Sequence, residues 1–112
     1  MGRVVQEKPM KEFMYRESRV ALALGDPARY EIVDVLMKAG PINVSELVKR
    51  VHRSQSTVSH HLAKLRSLEI VRYETKIDGV YYWIKYPQEL SGVIQTLRAF
   101  IKRTSQDIGS DK

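Results

Sequence analysis

Between residues 54 and 76 the spacing of apolar side chains changes from a helical to an extended period, and this switch constrains the fold more than any other feature. Val58, Leu62 and Leu65 recur at i, i+4 and i+7, a narrow stripe on a helix that begins at Ser54 and runs through Leu68. Val71, Tyr73 and Thr75 then alternate with Arg72, Glu74 and Lys76. On the return, Val80, Tyr82, Ile84 and Tyr86 alternate with Tyr81, Trp83 and Lys85. Asp78-Gly79 lies between the two runs and is the expected centre of a tight hairpin turn, because both residues tolerate positive φ.

The flanking segments read as helices. Met10, Phe13, Met14, Val20, Ala21 and Leu24 mark a first helix over 10–24, which Gly25 is expected to stop as a left-handed residue. Asp26 followed by Pro27 reads as the N-cap and first turn of a second helix. Its buried stripe is Ile32, Val33, Val35, Leu36 and Ala39, and Gly40-Pro41 ends it. Ile42-Asn43-Val44 is a short extended piece, after which Ser45 is expected to cap a third helix that buries Leu47, Val48 and Val51. His52-Arg53 forms the turn before Ser54, and Pro87 opens a last helix bearing Leu90, Val93, Ile94, Leu97, Phe100 and Ile101. The expected fold is mainly α with a β-hairpin wing, a winged helix-turn-helix in the order α-α-α-α-β-β-α. The 112 residues suit one domain over 10–104, between a flexible arm at 1–9 and a flexible tail at 105–112.

Helix-turn-helix geometry makes a specific demand on the helix from Ser54. One face must pack on its own domain, and the other must be slim and polar enough to enter the major groove of a duplex. Opposite Val58, Leu62 and Leu65 stand Ser56, Ser59, His60, Ala63 and Lys64, with Gln55 at the N-terminal tip. Gln55 suits pairing with adenine, and Ser59 and His60 can donate or accept hydrogen bonds. From Leu47 to Leu68 there are five Lys or Arg (Lys49, Arg50, Arg53, Lys64, Arg66) and no acidic residue, a stripe able to neutralise phosphates. The whole chain has 19 Lys and Arg against 13 Asp and Glu, a formal charge of +6.

Composition removes other classes of function. Without cysteine the chain forms no disulfide, thiolate metal site, iron–sulfur cluster or cysteine nucleophile. His60 and His61 are adjacent and point about 100° apart on a helix, which denies them a shared metal. His61 is expected to lie half-buried against its own domain. No Gly-rich phosphate loop, nucleophile elbow or HExxH motif is present, so neither catalysis nor a cofactor or metal is expected. Asn43-Val44-Ser45 matches a glycosylation sequon by coincidence. No apolar run approaches the roughly 20 residues that span a bilayer, and residues 1–10 lack a signal-peptide core. The expectation is a cytoplasmic protein with no membrane partner.

Two segments carry a resemblance. Ala23-Leu24-Gly25-Asp26-Pro27-Ala28-Arg29 and Ser54-Gln55-Ser56-Thr57-Val58-Ser59-His60-His61-Leu62 are similar to the ArsR/SmtB family of transcriptional regulators, and Asp78-Gly79-Val80-Tyr81-Tyr82 fits its wing. The resemblance covers residues 18–100 and implies a homodimeric repressor that binds an inverted-repeat operator and leaves it when an effector binds. It implies base-facing roles for Gln55, Ser56, Ser59 and His60. Backbone contacts are expected from Ser54, Thr57, Arg53, Lys64 and Arg66, with Lys76 and Gly79 in the wing. Two departures stand out. Glu69 replaces the usual Gly between recognition helix and wing, so either positive φ there adds modest strain or the helix ends differently. The family's metal sites are missing: Ser45-Glu46-Leu47-Val48-Lys49 replaces its Cys-rich motif, and the last helix has no histidine from Leu90 to Arg103. The effector is not legible.

The first and last helices carry more apolar surface than so small a domain can bury. Phe13, Met14, Val20 and Leu24, with Leu90, Ile94, Leu97 and Ile101, are therefore the expected dimer interface, which would present two recognition helices to one duplex. Two other readings remain: a winged-helix module that binds proteins without reading DNA, and single-strand binding through Tyr81, Tyr82, Trp83 and Tyr86. Packing within the wing is the favoured role for those aromatics.

Overall fold

Asp26 organises the start of the chain. In the computed structural model, which describes the backbone of residues 2–110 and the side chains of 11–106, Asp26 lies between helices α1 (Gly2–Gly25) and α2 (Pro27–Ala39). Its Oδ1 accepts from the backbone N–H of Ala28 at 2.9 Å and of Arg29 at 3.1 Å, and Pro27 occupies the first turn, where no partner is needed for its missing N–H. Those two hydrogen bonds, that from Arg29 foremost, hold the Asp26 carboxyl below its ordinary pKa. The cap acts so promptly that α1 needs no left-handed stop. Gly25 stays outside the positive-φ region, contrary to expectation.

Next come β1 (Ile42–Asn43), α3 (Val44–Val51), α4 (Gln55–Ser67), β2 (Val71–Lys76), β3 (Gly79–Ile84) and α5 (Pro87–Ser110). The order is that of a winged helix-turn-helix, with the short extended piece recruited as a third strand. The sheet runs β1-β3-β2, antiparallel throughout, with Ile42 opposite Tyr82 and Asn43 opposite Tyr81. The N-cap of α3 is Asn43, not Ser45: Asn43 Oδ1 accepts from the Ser45 N–H at 2.8 Å. The hairpin also differs. Lys76 pairs with Gly79, so Ile77-Asp78 is the central pair, and neither has positive φ; Gly79 follows the turn with φ 139°. The turn is therefore not of the mirror-image type that Asp78-Gly79 suggested.

Helix α4 sits on an apolar core by its narrow stripe. Val58, Leu62 and Leu65 are fully buried against a cluster that includes Ile32 and Leu36 of α2, Leu47 of α3 and Val71 of β2. Each such side chain contributes about 1.5–3 kcal/mol relative to exposure. Helix α4 ends in a Schellman motif: the Ile70 N–H reaches the Leu65 carbonyl and the Glu69 N–H reaches the Arg66 carbonyl, both at 3.0 Å. Glu69 fills the left-handed position with φ 62°. The side chain of Glu69 pairs with Lys85 on the returning strand's exit.

The outer helices extend further than the apolar periodicity implies, with helical backbone over 2–9 and 105–110. Adding residues to an existing helix gains a hydrogen bond for each residue fixed, without a new nucleation cost. Met1 and residues 111–112 of the expected arm and tail lie outside the described residues. The long helices give a radius of gyration of 17.4 Å, against about 13 Å for a compact domain of 100 residues.

Candidate nucleic-acid interface

The α4 side chains divide cleanly. Gln55, Ser56, Ser59, His60, Ala63 and Lys64 are all exposed, while Val58, Leu62 and Leu65 on the opposite edge are inaccessible. Ser54 caps the helix: its Oγ accepts from the Thr57 N–H at 3.1 Å and donates to Thr57 Oγ1 at 2.8 Å, with Ser56 Oγ 3.2 Å away. Ser54 and Thr57 therefore order the tip of α4 through each other. No acidic residue lies in the first turn, so the positive end of the helix is left uncompensated.

Basic charge around α4 is partly answered from elsewhere in the fold. Arg53 meets Glu31 at 3.8 Å and Arg50 meets Glu46 at 3.5 Å, pairs that a count over residues 47–68 does not register. Arg66 lies over the Tyr73 ring, 4.9 Å from its centroid, and Lys76 lies 5.0 Å over Tyr81. Lys64 stays exposed and, among the described residues, makes no salt bridge.

His61 is half-buried, as expected, and meets Arg29: Arg29 Nη1 lies 3.4 Å from His61 Nδ1. Burial lowers the His61 pKa below its ordinary 6.5. Among the described residues no three His, Asp or Glu side chains group as a metal site would require. In the wing, Tyr73 and Tyr82 stack with centroids 5.5 Å apart, so Tyr73 is shared between Tyr82 and Arg66. The faces of Tyr73 and Tyr82 are engaged with each other, while Tyr86 is exposed with Lys85 over its ring.

Two wing features are not evident from the sequence. Ile77 at the apex is fully exposed. Asn43, which the sequence presents as part of a chance sequon, bonds the turn: its Nδ2 donates to the Asp78 carbonyl at 3.0 Å. A signal is present, since Asn43 followed three residues on by Glu46 is a capping-box pattern. Gly79 has a structural duty here, because a Cβ on it would fall 2.4 Å from Asn43 Nδ2.

The residues expected to pair two protomers separate into two groups. Leu24, Leu90 and Ile94 are buried in the protomer's own core, and Val20 is partly buried against it. The division follows helix face as well as turn: Leu22 and Val93 are exposed although their neighbours Ala23, Leu24 and Ile94 are buried. Phe13, Met14, Tyr15, Leu97, Phe100 and Ile101 are exposed further out along the two helices. An apolar groove lined by Phe13, Val20, Leu24 and Val93 runs between the two helices.

Residues 26–73 match a family described as "Bacterial regulatory protein, arsR family". The chain is 33% identical over 88 residues to the transcriptional repressor PagR of Bacillus anthracis, a match that covers 77% of this chain and 87% of PagR. It is 28% identical over 91 residues to the transcriptional repressor SdpR of Bacillus subtilis (strain 168), covering 81% of this chain and 99% of SdpR. Among solved structures, HlyU from Vibrio cholerae N16961 superposes with a TM-score of 0.68 at 26% identity, over 78% of this chain and 92% of HlyU. With fold, recognition-helix pattern and relatives in agreement, the chain belongs to the ArsR family of bacterial regulatory proteins.

Proposed function

We propose that the protein is a dimeric transcriptional repressor that reads an inverted-repeat operator in double-stranded DNA. The observation that carries this reading is the two-sided construction of α4, with Gln55, Ser56, Ser59 and His60 exposed on one flank and Val58, Leu62 and Leu65 buried on the other. The small residues Ser56, Ser59 and Ala63 let the helix backbone approach base edges, while Gln55 and His60 supply directional hydrogen bonds. Lys64 and the helix N-terminus behind Ser54 and Thr57 address phosphates, with Arg53, Arg66 and Lys76 around them. Membership of the ArsR family and likeness to two proteins named as transcriptional repressors support the repressor reading.

Dimerisation is supported by the exposed apolar turns of α1 and α5. Phe13, Met14, Leu97 and Ile101, with Val93 and Phe100, would bury one another across a two-fold axis and set two copies of α4 about 34 Å apart, one turn of DNA. The protein acts by binding rather than catalysis, on chromosomal DNA in the cytoplasm. Among the described residues no helix is long and apolar enough to cross a membrane. With no cysteine in the chain, thiol oxidation and thiolate metal binding do not control it.

Fluorescence anisotropy with labelled duplexes tests this reading. Affinity should fall steeply and log-linearly with salt, and one inverted repeat should be preferred over scrambled duplex. A dimer that binds no duplex at low salt would contradict it.

A further inference from the structure

We infer that Asn43 is a positioning residue that sets the wing against the helix-turn-helix, and so determines whether the wing reaches the duplex flanking each half-site. The inference rests on the DNA-binding reading above and extends it to a residue outside the recognition helix.

The geometry places Asn43 at the junction between the two units. Its backbone belongs to β1, opposite Tyr81 of β3. Its Oδ1 caps α3 through the Ser45 N–H at 2.8 Å, and its Nδ2 donates to the Asp78 carbonyl in the wing turn at 3.0 Å. One planar amide thus bonds the start of the helix-turn-helix with one end and the wing apex with the other. Gly79 makes this approach possible, since a side chain there would strike Asn43 Nδ2. Tyr81 adds a second strut, its hydroxyl donating to Asp78 Oδ2 at 2.7 Å.

The wing needs such a tie. Strand β1 reaches only Tyr81 and Tyr82, so the ribbon from Thr75 to Val80 has no third strand beside it. A two-stranded ribbon alone is marginal in water. The outer ribbon carries Lys76 and the fully exposed Ile77, the wing groups best placed to meet a phosphate and a groove wall. Their position relative to α4 depends on what holds Asp78.

Asn43→Ser separates the two duties of the amide. Serine caps a helix about as well as asparagine, is neutral, and is too short to bridge to Asp78. In the free protein, amide hydrogen exchange over residues 75–80 should accelerate about fivefold or more in Asn43→Ser, with the fold retained and the melting temperature lowered by only a few degrees. In footprinting, the variant should keep the parent's protection and base preference at the half-site cores, lose protection outside them, and bind about five- to tenfold more weakly. Asn43→Ala, which also loses the cap, should melt at a lower temperature still. Unchanged exchange in Asn43→Ser would overturn the inference, as would faster exchange with full flanking protection and parental affinity. Loss of core and flank protection together would overturn it too. If the parent protein protects no duplex, the DNA-binding reading falls and takes the inference with it, a result distinct from a failure of the variant.

Discussion

Arg29 ties the last turn of α1 to the flank of α4 by reaching His61. Its Nε donates to the Ala23 carbonyl at 2.9 Å, and its Nη1 lies 3.4 Å from His61 Nδ1. A guanidinium can only donate, so the ring nitrogen it meets must be unprotonated.

This pairing predicts a pH dependence of stability. His61 has a pKa lowered chiefly by burial, with Arg29, His60 and Arg53 acting in the same direction and Asp26 opposing. The unfolded chain takes up this proton near the ordinary 6.5, the folded chain only at lower pH. Its contribution is therefore full above 6.5 and is lost as pH falls through the depressed folded value. Urea midpoints should drop between pH 7.5 and pH 5, a window above the carboxylates Asp26 and Glu69, whose pKa values are lowered from 3.8 and 4.5. His61→Gln should flatten that drop; an equally steep profile in the variant would contradict the assignment.

Glu69 occupies a glycine's position at φ 62°, and its compensation is a pair with the half-buried Lys85 in which the carboxylate itself is exposed. Exposed pairs contribute little, whereas a Cβ in the left-handed region is a fixed cost. Glu69→Gly should raise the urea midpoint above the parent's. Glu69→Ala, which keeps the strain and loses the pair, should lower it.

The two kinds of exposed residue on α4 should separate in binding. Gln55→Ala or His60→Ala should relax sequence preference, with a penalty of about 1–3 kcal/mol for each interaction with a base edge that is removed. Lys64→Ala should weaken binding to all duplexes alike and reduce the magnitude of the salt slope by about one. Parallel anisotropy titrations on operator and scrambled duplex distinguish the patterns.

Burial on α5 predicts another division. Leu97 and Ile101 are exposed, so Leu97→Glu or Ile101→Glu should yield folded monomers in sedimentation velocity. Ile94 is buried in the protomer, and Ile94→Ala should instead cost about 2–5 kcal/mol of stability.

The order of elements is legible in the sequence because each signal is local. The stripe Val58/Leu62/Leu65, the alternation from Val71, and the Asp26-Pro27 cap each declare themselves within a few residues. The side chains that join elements are not legible. Arg29 meets His61 across 32 residues and Asn43 meets Asp78 across 35, separations at which spacing conveys nothing about proximity. The turn falls one residue earlier than expected because Asp78-Gly79 is a strong local signal, yet the strand register puts Gly79 opposite Lys76. The apolar stripes of α1 and α5 look uniform in sequence; only tertiary packing distinguishes Leu24 and Ile94, which the core consumes, from Phe13 and Ile101, which it leaves exposed.

Selection of bound duplexes from a random pool, run in parallel with the parent and His60→Ala, tests the central claim most directly. A palindromic consensus with half-sites one helical turn apart, degraded at defined positions in the variant, is the predicted result. Recovery of no consensus, or of the same consensus from both proteins, would show that the exposed flank of α4 does not read the bases.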